Sequence, residues 1–109
     1  MRLGAQVCRL EKGTLSANIY QKAEIVERHR HRYEVNEKYF DLMHQRGLNF
    51  VGTGTGPCGE KLMEILEHPS HPFYIGCQYH PEYRSSHLRP HPLFMGLFDA
   101  MQHVANTLR

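Results

Sequence analysis

The sequence predicts an α/β fold, with strands and helices packed as a sandwich, from three observations. Several short apolar segments have the composition of β-strands, and polar or glycine-rich turns separate them. Two other segments place apolar residues at helical spacing. The 109 residues are enough for one modest domain with a single core.

The strand prediction starts from apolar alternation and from β-branched and aromatic residues. The segment Phe73–Tyr83 begins apolar, as a buried strand does, and ends in a polar His-Pro-Glu sequence; we expect it to be the central strand. Residues 15–20 fit either a short helical turn or an edge segment. The other predicted strands are residues 3–10, 24–35, 48–53 and 62–67.

Two helices are predicted from capping residues and apolar spacing. Asn36 is a good N-cap, and Gly47 is well placed to end the helix that follows it. From Phe94 to Leu108 apolar residues recur at helical spacing, and Pro92 suits the first turn of that helix. We expect this terminal helix to lie along the sheet.

Composition narrows the class of protein. No apolar run approaches the length of a membrane span, so we expect no membrane segment. The net charge of +2 is too small to indicate nucleic-acid binding by itself. Three scattered cysteines fit reduced thiols better than a disulfide framework, which predicts a cytoplasmic protein.

The sequence His80-Pro81-Glu82 is a candidate catalytic pair. Side chains alternate in an extended chain, so His80 and Glu82 are expected to project the same way. A carboxylate beside an imidazole selects its tautomer and stabilises the imidazolium, which is the base-and-orienter half of a nucleophilic triad. Taken alone, the same three residues also fit an ordinary solvated turn.

The basic stretch Glu27–Asn36 is open to four interpretations. It fits a solvated strand edge, a clamp for an amino-acid carboxylate, or a nucleic-acid-binding module around residues 28–33. A metal site is the fourth, because His29 and His31 share a face in a strand. No cysteine or histidine spacing supplies the further ligands that zinc needs, so we predict no metal.

Two segments together give the chain a resemblance. Residues 27–36 read Glu-Arg-His-Arg-His-Arg-Tyr-Glu-Val-Asn, and residues 77–83 read Cys-Gln-Tyr-His-Pro-Glu-Tyr. In this order they closely resemble the glutaminase domain of the CTP synthase family, a class I, triad-type glutamine amidotransferase. The supporting matches are residues 1–4, 63–65, 71–73 and 91–94.

The resemblance implies roles for individual residues. His80 would be the general base and Glu82 its orienting carboxylate. Arg32, with the backbone at Tyr33, would lie against the amino-acid end of bound glutamine. The implied fold is an open, largely parallel sheet with flanking helices, as in flavodoxin-like layers.

The resemblance also implies a reaction. Glutamine would be hydrolysed through a thioester, and the ammonia would pass to a synthetase domain that aminates UTP to CTP with ATP and magnesium. No cofactor is expected in this chain itself. The implied partners are glutamine, the remaining polypeptide of the enzyme and further copies in a homo-oligomer.

The nucleophile of such an enzyme lies in a Gly-x-Cys-x-Gly elbow. Cys58 does not match that pattern, because Glu60 stands where the second glycine is needed, and Cys8 and Cys77 fit packing positions. We therefore expect residues 1–109 to be the C-terminal part of a glutaminase domain. The elbow and the synthetase domain are expected outside it, and this chain alone is expected to be inactive.

Overall fold

Five strands form one sheet in the computed structural model, which describes residues 2–108. Their order across the sheet is β2-β1-β3-β4-β5. The strands are β1 (Arg2–Leu10), β2 (Glu24–His31), β3 (Asn49–Thr55), β4 (Lys61–Glu67) and β5 (Ile75–Cys77). The predicted strands at 3–10, 48–53 and 62–67 are confirmed within a few residues, whereas the predicted strand at 24–35 ends at His31.

Neighbouring strands in this sheet run antiparallel, so the prediction of a largely parallel sheet is wrong for the described residues. The connections explain this. The turn at residues 56–60 joins β3 directly to β4, and such a short link can join only antiparallel strands. Parallel neighbours would need a crossover of a dozen or more residues, and the connection from β4 to β5 is only a short loop without a helix.

The sheet has two parts, β2-β1 and β3-β4-β5, which pair with each other over only two residues of each strand. The strands β1 and β3 pair through Arg9 with Thr53 and Leu10 with Gly52. The chain beyond β5 then reaches β2 at the opposite edge, where the His80 amide donates to the Arg28 carbonyl at 2.9 Å. The predicted central strand is therefore wrong: β5 has three residues and lies at the edge of the sheet.

Residues 15–20, whose structure the sequence left open, form the short helix α1 (Leu15–Tyr20). Thr14 caps it by accepting from the Ala17 amide at 3.2 Å. A second acceptor comes from the sheet, because the Glu67 carboxylate accepts from the Ser16 amide and hydroxyl at 2.6 Å. These contacts attach α1 to the end of β4.

The helix predicted between Asn36 and Gly47 is confirmed in a divided form. A 3-10 turn (Glu37–Tyr39) leads into α2 (Phe40–Gln45). Asn36 caps the 3-10 turn by accepting from the Lys38 amide at 3.1 Å. Gly47 follows the helix with a φ of 95°, a conformation that glycine adopts readily.

The terminal helix is α3 (Pro92–Thr107), as the apolar spacing predicts, with His91 as its N-cap and Pro92 in its first turn. It packs against α1, and an added Cβ at Gly96 would lie 2.8 Å from the Ile19 side chain. The prediction that it lies along the sheet is wrong, because the helix packs mainly against α1 and not against a strand, and Leu93 is its one buried residue.

The hydrophobic core lies between the sheet and the first turn of α3. Its buried members are Cys8, Leu10, Tyr20, Ile25, Val51, Ile65, Tyr79 and Leu93. Polar side chains share this interior, and they include three glutamates and two histidines: Glu27, Glu64, Glu67, His29 and His91. Within residues 2–108 the structure contains no helix with the length and apolar character that crossing a bilayer requires.

Candidate active site

His80 and Glu82 lie in contact at the end of the segment that follows β5. The distance from His80 Nδ1 to Glu82 Oε1 is 2.5 Å. His80 is extended, with φ −107° and ψ 91°, whereas Pro81 begins a 3-10 turn (Pro81–Arg84) that carries Glu82. The side chains meet because this turn folds Glu82 back, and not because a strand alternates as the sequence argument assumed.

Both side chains of this pair are open to solvent, with 36% of the His80 side chain and 54% of the Glu82 side chain exposed. The Tyr83 ring stacks on the imidazole, with ring centroids 4.7 Å apart and planes 17° apart. The hydrogen bond from His80, followed by a backbone N–H, lowers the pKa of Glu82. The ionised form of Glu82 is therefore favoured. It accepts a hydrogen bond from Nδ1–H of His80, which leaves the lone pair on Nε2 able to accept a proton from a reacting group.

Backbone contacts hold the segment before His80 between two strands. The Gln78 amide donates to the Glu64 carbonyl of β4 at 3.1 Å, and two residues later the His80 amide donates to Arg28 of β2. On the far side of the pair, the Arg84 guanidinium donates to the Val26 carbonyl of the same strand. The imidazole is thus mounted on a segment that bridges β4 and β2.

The structure places Arg32 and Tyr33 just beyond the end of β2, both exposed. Arg32 lines a cavity of about 310 Å³ together with the charged residues Arg2, Glu34 and Glu60, and neither His80 nor Glu82 lines that cavity. Tyr33 is linked to the His80 segment through its backbone, because its carbonyl accepts from Gln78 Nε2 at 2.6 Å. The Tyr33 side chain is 80% exposed.

The basic stretch has two different faces. Arg28, Arg30 and Arg32 are exposed, whereas Glu27 and His29 are buried. His29 and His31 do share a face, with ring centroids 5.1 Å apart. Only part of this stretch is therefore a solvated edge, and the nucleic-acid interpretation of residues 28–33 stays a prediction.

The two histidines of this face lie against carboxylates. His29 Nε2 is 3.3 Å from Glu64 Oε2, and His31 Nε2 is 2.8 Å from Glu34 Oε1. Burial, followed by the charge of Arg2, lowers the pKa of His29 to about 4. Burial raises the pKa of Glu64, against the opposing effect of its contact with Arg2.

No group of three or more histidine, cysteine, aspartate or glutamate side chains within residues 2–108 is arranged to hold a metal ion. The histidines are instead distributed among separate contacts with carboxylates, aromatic rings and backbone amides.

The three cysteines have different environments. Burial raises the pKa of Cys8 to about 12 and that of Cys77 to about 11, which disfavours their thiolates. Cys58 is exposed, in the turn between β3 and β4, where its amide donates to the Glu60 carboxylate at 2.9 Å. A nucleophile elbow joins a strand to a helix, whereas this turn joins two strands.

Sequence reasoning missed a further histidine–carboxylate contact, deep in the core. His91 Nε2 and Glu27 Oε2 are 2.6 Å apart, and the same oxygen accepts from the Tyr20 hydroxyl at 2.6 Å. One signal was available in the sequence: Glu27 lies two residues after Ile25 in β2, so the two side chains share the buried face of the strand. Its partner lies 64 residues away and could not be inferred.

Comparisons with known proteins identify the family of the chain. The family model described as "Glutamine amidotransferase class-I" matches residues 1–100. The chain therefore belongs to the class-I glutamine amidotransferase family.

Its relatives in this family include CTP synthases. The CTP synthase of Rubrobacter xylanophilus is 52% identical over 100 residues, which are 92% of this chain and 18% of that protein. The enzyme of Flavobacterium psychrophilum is 48% identical over 102 residues, again 92% of this chain and 18% of the relative. The chain thus spans about a fifth of the length of the curated relatives it matches.

A solved structure shows the same fold. The glutaminase domain of Trypanosoma brucei CTPS, solved with bound acivicin, matches with a TM-score of 0.83 at 36% sequence identity. The match covers 92% of this chain and 39% of that chain. Membership of the family, which the sequence predicts from residues 27–36 and 77–83, is confirmed.

Proposed function

We propose that this chain supplies the histidine and glutamate of a Cys-His-Glu triad in the glutamine-hydrolysing domain of a CTP synthase. The observation that carries the proposal is the 2.5 Å contact between His80 Nδ1 and Glu82 Oε1 on a solvent-accessible turn. The similarity to CTP synthases extends over 92% of the chain, and it supports a CTP synthase rather than another class-I amidotransferase.

In this proposal His80 is the general base. With Nδ1–H donated to Glu82, Nε2 carries the lone pair that accepts a proton from a cysteine thiol. Glu82 stabilises the imidazolium that results, and the same proton is later returned to the leaving ammonia. Glu82 is a carboxylate at neutral pH, because the ordinary pKa of 4.5 already lies well below neutrality and the contact with His80 lowers it further.

Arg32 is the proposed contact for the amino-acid end of glutamine. A guanidinium can bind a carboxylate through two parallel hydrogen bonds, and the Arg32 side chain is exposed just beyond the end of β2. The Tyr33 backbone lies against Gln78, two residues before His80, and this contact ties the proposed binding loop to the general base.

We place the nucleophile on polypeptide outside this chain. Cys8 and Cys77 are held as thiols by burial, and Cys58 lies in a hairpin turn. The ammonia would then serve a separate synthetase domain, which would bind ATP and magnesium and aminate UTP to CTP in a cytoplasmic homo-oligomer. Residues 1–109 would be the C-terminal part of the glutaminase domain, inactive without the rest.

The test uses the intact enzyme that contains this chain. The substitution His80→Ala is expected to abolish CTP formation from glutamine and to spare CTP formation from added ammonia, because ammonia bypasses the triad. His87→Ala, at an exposed loop position, is the matched control and should leave both rates unchanged. Loss of both rates in His80→Ala would mean that His80 is structural, and the proposal would be abandoned.

A further inference from the structure

Gln78 connects the segment that carries His80 to the loop that carries Arg32. Its backbone amide donates to the Glu64 carbonyl at 3.1 Å, which fixes the residue on β4. Its side chain reaches the other way, and Nε2 donates to the Tyr33 carbonyl at 2.6 Å. A carbonyl oxygen can only accept a hydrogen bond, so the amide nitrogen must be the end that faces Tyr33.

The loop that Gln78 holds has little other support at this point. The strand β2 ends at His31, and the residues from Arg32 to Asn36 have no regular secondary structure. The Tyr33 side chain is 80% exposed and cannot anchor the loop by packing. Further along, Glu34 is tied to Arg2 at 3.1 Å and to His31 at 2.8 Å. Gln78 holds the peptide group between Tyr33 and Glu34, one residue beyond Arg32.

The two ends of Gln78 differ in what they do. Nε2 makes the hydrogen bond to Tyr33, whereas Oε1 is buried without a hydrogen-bond partner among residues 2–108. A buried amide oxygen without a hydrogen-bond partner lowers the stability of the folded chain, so a side chain that served only the polarity of this position would be expected to pair both of its polar atoms. The contacts therefore identify one role for this side chain, which is to donate a hydrogen bond to the Tyr33 carbonyl.

We propose that Gln78 is a positioning residue for glutamine binding: its amide holds the Tyr33 carbonyl and so fixes Arg32 relative to His80. The proposal rests on the proposed function of Arg32 and His80. Gln78 itself touches neither the imidazole nor the guanidinium in the contacts described above, so its effect would pass through the Tyr33 backbone. Losing the donor would therefore weaken glutamine binding more than the chemical step.

The experiment compares two variants of the intact enzyme. Gln78→Met has nearly the same length without a donor, and Gln78→Lys retains an N–H donor at the end of an unbranched chain. In Gln78→Met the KM for glutamine is expected to rise about threefold to tenfold, because the Tyr33 carbonyl loses the donor that holds it, with kcat within about twofold. Gln78→Lys is expected to recover most of that loss.

Controls separate the possible outcomes. Gln45→Met, at an exposed position of α2, should leave the KM unchanged. CTP formation from ammonia is measured for every variant to show that the enzyme is folded. If Gln78→Met does not fold, Gln78→Glu replaces it, because it also lacks the donor at nearly the same shape.

Two results would overturn the proposal. An unchanged KM in the donor-free variant, alongside a glutamine-inactive His80→Ala, would reject the role of Gln78 and keep the proposed function. An equal loss of kcat in Gln78→Met and Gln78→Lys, with ammonia-dependent synthesis reduced as well, would make Gln78 a general structural residue. If His80→Ala still used glutamine, the proposed function itself would fail, whatever Gln78 does.

Discussion

Two histidine–glutamate contacts in this chain have nearly the same length and opposite surroundings. His80 and Glu82 are 2.5 Å apart with 36% and 54% of their side chains exposed, whereas His91 and Glu27 are 2.6 Å apart with 2% exposed in each. The first pair comes from neighbouring residues on one turn. The second joins β2 to the N-terminus of α3.

The two pairs differ in how many ring nitrogens of the histidine already have a hydrogen-bond partner. In the buried pair, His91 accepts from the Leu93 amide through Nδ1 at 3.1 Å and contacts Glu27 through Nε2. Glu27 also accepts from Tyr20, whose hydroxyl lies 2.9 Å from that of Tyr79. In the exposed pair, only Nδ1 of His80 is engaged by Glu82. A histidine with a free ring nitrogen on the surface can meet a substrate, whereas one with both nitrogens in use holds elements together.

The largest expected effect comes from changing the charge of the exposed pair. In Glu82→Gln the imidazolium loses its counter-charge, so glutamine-dependent CTP formation should fall roughly 10²–10⁴-fold. Ammonia-dependent formation should not change, and the free energy of unfolding should stay within about 0.5 kcal/mol. Steady-state rates with each nitrogen source measure this in the intact enzyme. Glu24→Gln, at an exposed position of β2, is the control; a normal glutamine rate in Glu82→Gln would contradict the assignment.

The buried pair should show the reverse behaviour. Glu27→Ala removes the acceptor shared by Tyr20 and His91 and leaves both partners buried, which should cost about 3–5 kcal/mol of stability. Molecules that remain folded should keep their glutamine rate per active site. Denaturant unfolding, with hydrogen exchange of the β2 amides as a local readout, measures the loss. If Glu27→Ala had normal stability and no glutaminase activity, the buried pair would serve catalysis and not stability.

The sequence predicted those features that depend on neighbouring residues. The alternation within β1 and the helical spacing of α3 are local, and so is the proximity of His80 to Glu82. The antiparallel sheet and the edge position of β5 depend on how distant segments pair, and the expectation of parallel strands came from a family fold larger than this chain. The contact between Glu27 and His91 needed the folded chain for the same reason.

A third histidine extends the comparison to acid stability. His29 is buried beside Glu64, and burial lowers its pKa from 6.5 to about 4. The unfolded chain therefore binds a proton on this residue at a higher pH than the folded chain does, so stability falls as the pH decreases from about 6.5 to about 4. His29→Gln does not titrate and should lose less stability over that window.

This prediction is checked by unfolding both proteins at a series of pH values. Arg2, His31, Glu34, Glu27 and Glu64 surround His29 and are present in both proteins. The difference in slope therefore reports the imidazole together with its effect on the Glu64 carboxylate 3.3 Å away. Equal slopes for the wild type and His29→Gln would mean that His29 binds its proton over the same pH range in the folded and the unfolded chain. Burial would then not lower the pKa of His29.

The smallest expected effect concerns the ring that covers one face of the exposed imidazole. Tyr83 stacks on His80 with centroids 4.7 Å apart, and such aromatic contacts contribute about 0.5–1.5 kcal/mol. Because the Glu82 contact already fixes the tautomer, Tyr83→Ala should only loosen the ring, lowering the glutamine-dependent rate about threefold to tenfold. Tyr83→Phe keeps the stacking surface and should restore the rate. If Tyr83→Phe were as slow as Tyr83→Ala, the tyrosine would act through its hydroxyl, and the imidazole would depend on a second polar group as the buried histidine does.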